Sequence, residues 1–228
     1  MMICPETFYE YNLKGKNAEE ILTVIRGIKR EMGRLKNIME HPEYVSMICP
    51  SEDVQISMSR EYLQRAKQAL NDVGGVYIKS KAELKVEEFE NNIPYISKLV
   101  FSIGEYFCGN ETYTVRLEEE HLRLWVSHSD IPVPSNLDIE QDYPMTKEEF
   151  LDGLKDLHIG EWRRNYNLKR FGYVVMDGTQ WELEIEFNNG KKPVRFYGDN
   201  AYPYNFNKFQ ELLGIETYDI EDYEDDDE

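Results

Sequence analysis

The sequence predicts an α+β protein, with N-terminal helices followed by two antiparallel three-stranded meanders, each closed by a helix. Three observations predict it. Apolar residues recur at helical spacing near the N-terminus, two-residue alternation runs through the centre and the C-terminal third, and a capping sequence or a proline follows each strand-rich stretch. The expected divisions are a helical region over residues 1–92, a first meander and helix over 93–160, a second over 161–215, and an acidic tail over 216–228.

Phe8 to Leu13 alternates weakly and reads as a short strand broken at Gly15. Asn17 and Glu20 then form a capping box, with Asn in the Ser/Thr role. Ile21, Ile25, Ile28, Met32, Leu35 and Met39 follow in steps of four and three, which keeps one seam on one helix face until His41-Pro42 closes it. That seam either packs within the fold or joins a homodimer through the 17–40 helix. Arg26, Lys29, Arg30 and Arg34 ride the same helix, and like charges at this spacing repel unless something acidic faces them.

Val54, Ile56 and Met58 alternate as a strand, after which Ser59 caps a helix from Arg60 to Asp72 that ends at Gly74-Gly75. Val76 to Ile78 reads as a further short strand and Glu83 to Asn91 as a helix. Leu99, Phe101 and Ile103 alternate with Lys98, Val100 and Ser102, Gly109-Asn110 supplies a turn, and Tyr113, Val115 and Leu117 return. Leu122, Leu124 and Val126 complete the first meander. A loop with Pro132, Pro134 and Pro144 leads to the capping box Thr146-Lys147-Glu148-Glu149 and a helix to Leu157.

In the second meander, Phe171, Tyr173 and Val175 run to the turn Asp177-Gly178. Trp181, Leu183, Ile185 and Phe187 then face one way and Glu182, Glu184 and Glu186 the other, and Val194 with Phe196 continues the inner face. Pro203 opens a closing helix to Leu213. Tyr143-Pro144, Phe150 and Leu154 recur 59 residues later as Tyr202-Pro203, Phe209 and Leu213, which would fit two copies of one strand-and-helix unit.

The stretch Asp177-Gly178-Thr179-Gln180-Trp181 through Gly198-Asp199-Asn200-Ala201-Tyr202-Pro203 resembles a DGTxW…GxNAYP pattern of uncharacterised bacterial proteins, over about thirty of the 228 residues. The resemblance implies a shared terminal module and carries no activity. In structural terms Trp181 anchors a core, Gly198 permits a bend and Asn200 bonds nearby backbone. In functional terms Asp199, Asn200, Tyr202 and Trp181 line a small pocket at a helix start.

Charge narrows the function. The net charge is −18, and nine carboxylates without a base between Glu216 and Glu228 supply half of it. Such a run repels itself and reads as an extended tail that solubilises the chain or masks a basic surface. Phosphate recognition needs clustered cations, so direct DNA binding is not expected, although an acidic surface can imitate nucleic acid. No apolar run approaches the ~20 residues of a membrane span. Met1 to Glu6 lacks the basic and apolar regions of a secretory signal, and Cys4, Cys49 and Cys108 lie too far apart for a disulfide frame, which points to the cytoplasm.

Phosphate-cradling, dinucleotide, zinc-protease and nucleophile-elbow motifs are absent from the sequence. A Cys108–His128 dyad would have to reach across an intervening strand, roughly 10 Å between backbones. Glu182, Glu184 and Glu186 form a stripe that serves as the wet face of a sheet or holds a divalent cation. Neither catalytic residues nor a cofactor or metal site is expected. The leading expectation is a non-enzymatic protein-binding module using Arg26, Lys29, Arg30 and Arg34. The alternatives are a metal-assisted enzyme using Glu184, Asp199 or His128, and an acidic nucleic-acid mimic that inhibits a DNA- or RNA-binding protein.

Overall fold

A computed structural model of the chain describes residues 3–46, 48–105, 109–117, 122–130, 133–175 and 177–215, and its class is α+β. It comprises two compact units, Met1–Lys85 and Val86–Glu228. The tail expected over 216–228, Cys108 and Pro132 lie outside the described residues. Among the described residues, no helix is long and apolar enough to cross a membrane.

The first unit is helical. Its first element is a helix, α1 (Pro5–Asn12), where a strand was expected. Cys4 takes the extended backbone of an N-cap and Pro5 brings the right φ to the first helical position, which outweighs a weak alternation. The Phe8 ring stacks on Tyr62 at 4.3 Å. In α2 (Ala18–Met39) the capping box forms as read: the Asn17 side chain accepts from the Glu19 and Glu20 amides at 3.0 and 3.1 Å, and Glu20 accepts from the Asn17 amide at 2.9 Å.

A single helix, α3 (Glu52–Asp72), replaces the strand expected at Val54–Met58, and Ser51 rather than Ser59 precedes it. Ile56, Ala66, Ala69 and Leu70 are buried on one face while Val54 is exposed, so the helical period decides over three alternating positions. Ile21 and Ile25 of α2 pack against Ala66, Ala69 and Leu70. Ile21, Ile25, Met32 and Leu35 of the 17–40 seam are buried, whereas Ile28 and Met39 are half-buried. Val76 and Ile78 are exposed and form no strand.

A polar clasp joins α2 to the start of α4 (Lys81–Glu90). The Tyr77 hydroxyl donates to Glu83 at 2.5 Å, Lys29 donates to the Tyr77 oxygen at 3.1 Å and pairs with Glu83 at 2.9 Å, and the Ser80 amide and hydroxyl both donate to Glu83 at 2.9 Å. Burial alone would raise the Glu83 carboxyl, but the hydrogen bonds from Tyr77, Lys29 and Ser80 outweigh it and hold the pKa at about 2.

The second unit is built on one seven-stranded sheet, β4-β3-β2-β1-β6-β7-β5, with β1 (Ile96–Glu105), β2 (Gly109–Leu117), β3 (Leu122–Asp130), β4 (Val133–Asp142), β5 (Asn165–Asn167), β6 (Thr179–Phe187) and β7 (Val194–Asp199). Two departures from the expected meanders stand out. The proline-containing loop is partly strand β4, where Pro134 opposes Ser129; an edge strand tolerates a residue without an N–H. In the other, the strand expected at Phe171–Val175 is absent. Both edges of β6 are already taken, by β1 and β7, so Val174 and Val175 are left exposed, and β7 is flanked instead by the short parallel β5. Gly109-Asn110, read as a turn, opens β2. Residues 93–215 thus share one sheet through the β1–β6 pairing.

One face of that sheet is apolar. Leu99, Phe101, Leu183, Ile185 and Phe196 are buried on it and pack with Phe150 and Leu154 of α5 (Lys147–Asp156) and Phe206 and Phe209 of α6 (Phe206–Leu212). Each buried Phe contributes about 1.5–3 kcal/mol by leaving water. The two helices begin 59 residues apart and place Phe150 and Phe209 alike, fully buried. The strands before them differ, so the echo is confined to the helices.

The clasp gives the first prediction. Because the folded pKa of Glu83 lies below the ordinary carboxylate value, its contribution is present above about pH 4.5 and is lost as pH falls towards 2. At neutral pH, Glu83→Gln should lower stability by at most about 3 kcal/mol, and the difference from wild type should vanish near pH 2 in denaturant titrations.

Candidate functional site

The second face of the sheet is polar, and its register lines up two rungs of side chains across five strands. Asn110 opposes Gly104, Gly104 opposes Gln180, Gln180 opposes Asp199, and Asp199 opposes Asn167. In the next rung Ser102 opposes Glu182, Glu182 opposes Tyr197, and Tyr197 opposes Asn165. These residues except Gly104, with Lys169, Trp181 and Gly198, line a cleft of about 570 Å³. Position 104 requires glycine, because a Cβ there would collide with the Asn110 side-chain amide and the Gly109 carbonyl.

The cleft is bounded along the strands. One rung further on, Arg195 donates to Glu184 at 3.0 Å, and in the following rung Lys98 donates to Glu186 at 3.1 Å. Two of the three carboxylates in the stripe are therefore neutralised by cross-strand cations, as on the wet face of a half-buried sheet. Among the described residues, no group of three or more His, Cys, Asp or Glu side chains could hold a metal ion.

An interlock beneath the cleft fixes its floor. Trp181 is 3% exposed, faces the core, and donates its indole N–H to the Ala201 carbonyl at 2.9 Å. Gly198 leaves the room for that contact, because a Cβ would overlap the indole nitrogen. Asn200 adopts a left-handed conformation (φ 51°), and its side chain accepts from the Thr179 amide and donates to Asp199, both at 2.9 Å. A Cβ at Gly178 would overlap the Asn200 amide. The DGTxW…GxNAYP residues thus form two linked contacts across the β6–β7 hairpin.

The four pocket residues read from the sequence separate accordingly. Asp199 lines the cleft, and Trp181 lines it from beneath with little of its surface exposed. Asn200 orients Asp199 from the strand end, and Tyr202 packs on Phe206 with ring centroids 4.9 Å apart, its hydroxyl pushed up in pKa chiefly by burial. Asn110, Asn165, Asn167 and Gln180 were not anticipated. The one sequence signal is the alternation Asn165-Tyr166-Asn167 about a buried tyrosine, and no spacing rule discloses that this segment runs parallel to β7.

The residues of the metal-assisted alternative do not meet. His128 pairs with Glu111 at 3.4 Å in a rung on the core-side parity of β2 and β3, whereas Glu184 and Asp199 belong to the polar face. In the first unit, the basic cluster divides. Lys29 is held in the Glu83 clasp, Arg34 donates to Glu31 at 2.6 and 2.9 Å, and Arg26 and Arg30 are exposed with no partner among the described residues.

Compared with family models, curated proteins and solved structures, the chain matches none.

The interlock is testable by thermal and chemical denaturation. Gly198→Ala should cost about 2 kcal/mol or more, because neither Trp181 nor the Ala201 backbone can move aside. Asn200→Ala should destabilise more than Asn200→Gly, since glycine keeps the left-handed backbone while both lose the side-chain hydrogen bonds.

Proposed function

We propose that this chain is a non-enzymatic protein-binding module that recognises an acidic partner surface through Arg26 and Arg30. The supporting observation is the exposure of these two guanidinium groups, one helical turn apart, beside two cations already neutralised by the fold. Arginine at a rim accelerates encounter and fixes register more than it adds affinity, so the interaction should weaken with salt. A net charge of −18 disfavours contact with nucleic acid phosphates and favours partners selected by local rather than overall charge. The proposed compartment is the cytoplasm.

Two measurements test this reading. In pull-downs, wild-type chain should retain an acidic protein at low salt, lose much of it at moderate salt, and lose it at both after Arg26→Glu with Arg30→Glu. Retention that is indifferent to the reversal refutes the proposal, and capture of a basic nucleic-acid-binding protein would point to mimicry instead. In a thermal-shift screen, divalent cations should leave the melting temperature unchanged. A stabilisation removed by Glu184→Gln or Asp199→Asn would favour the metal-assisted enzyme.

A further inference from the structure

Independently of the basic helix, the structure assigns the cleft on the polar sheet face a ligand of its own, and we infer that this ligand is a neutral saccharide. The lining disfavours three classes of ligand. An apolar ligand would strip water from the exposed side chains of Asn165, Gln180, Glu182 and Asp199 without replacing their hydrogen bonds to it, at a cost for each polar group left unpaired. An anion would meet Glu182 and Asp199 against Lys169 alone. A metal ion would find two carboxylates diluted among amides, which are weaker ligands.

What remains is an uncharged ligand rich in groups that both donate and accept. Side-chain amides present both functions on one planar group, and a carboxylate accepts from two neighbouring hydroxyls at once. Saccharide hydroxyls have this double character all around a rigid ring. Asp199 is prepared for such a contact, because Asn200 occupies one carboxylate oxygen at 2.9 Å and fixes the orientation of the other.

The cleft also offers one apolar surface in the right place. Tyr197 stands in the second rung between Glu182 and Asn165 and is 48% exposed, so its ring can cover the C–H face of a pyranose while the flanking polar groups take the hydroxyls. A nucleobase is served less well, since a flat base is gripped between two planar faces and Tyr197 is the one exposed ring lining the cleft.

The test uses the full ¹⁵N-labelled chain, titrated in parallel with maltotriose, cellotriose, mannotriose and chitotriose, and with adenosine and inorganic phosphate as competing chemistries. At least one saccharide should shift the amide resonances of residues 165–167, 180–182 and 197–199 in a saturable way. Asn165→Ala with Gln180→Ala, both exposed positions, should keep a folded spectrum and weaken binding by about tenfold or more. Arg26→Glu with Arg30→Glu should leave it unchanged, which separates this site from the protein-binding surface. The inference is overturned if no saccharide moves those resonances at millimolar concentration, if adenosine or phosphate moves them in their place, or if the double alanine variant binds as wild type does.

Discussion

The hydrogen bond from the Trp181 indole to the Ala201 carbonyl is the contact on which the second unit turns. It ties the start of β6 to the chain leaving β7, and it does so from inside an aromatic cluster in which Trp162 lies 6.2 Å and Phe206 4.9 Å from the same indole. Trp162 is held in turn by Asn205, which accepts from its indole at 2.9 Å and donates to the Leu157 carbonyl at 2.6 Å. Buried polar atoms are thus satisfied at both tryptophans, which sets the orientation of rings that dispersion alone would leave less defined. With β6 and β7 locked in register below, the side chains above are locked in register too, and the two polar rungs follow.

Electrostatics in this chain is largely local. The large negative surplus gives no guide to where a cation is available. Glu83 receives Tyr77, Lys29 and Ser80, and Glu31 receives Arg34, so of the cluster Arg26, Lys29, Arg30 and Arg34 two side chains are already paired with carboxylates. On the sheet, Arg195 and Lys98 do the same for Glu184 and Glu186. These exposed and half-exposed pairs contribute modestly to stability. Their larger effect is to decide which charges remain to meet another molecule.

Much of the architecture could be read from pattern because capping and alternation are local. Asn17 with Glu20, Thr146 with Glu149, and the Trp181–Phe187 alternation appear in the fold where they appear in the sequence. The errors share a cause. Phe8–Leu13, Val54–Met58 and Phe171–Val175 are short apolar alternations, and whether such a run becomes strand depends on a free neighbouring edge or on a competing helical face, neither of which is local. The same limit applied to the cleft. Asp199 and Trp181 were legible from a motif, whereas Asn110, Gln180, Asn165 and Asn167 come together only through the register of five strands, one of them parallel and three residues long.

The fit between Gly178 and Asn200 bears on kinship. The Asn200 amide occupies the volume that any side chain at position 178 would need, and its left-handed backbone suits few residues other than Asn, Asp or Gly. Neither position can drift alone. Gly178 is held besides by its own φ of 149°, which would strain any side chain whatever the space, so a distant homologue that has lost all other likeness would be expected to keep glycine there and Asn, Asp or Gly at 200, and these two positions would be its mark of descent.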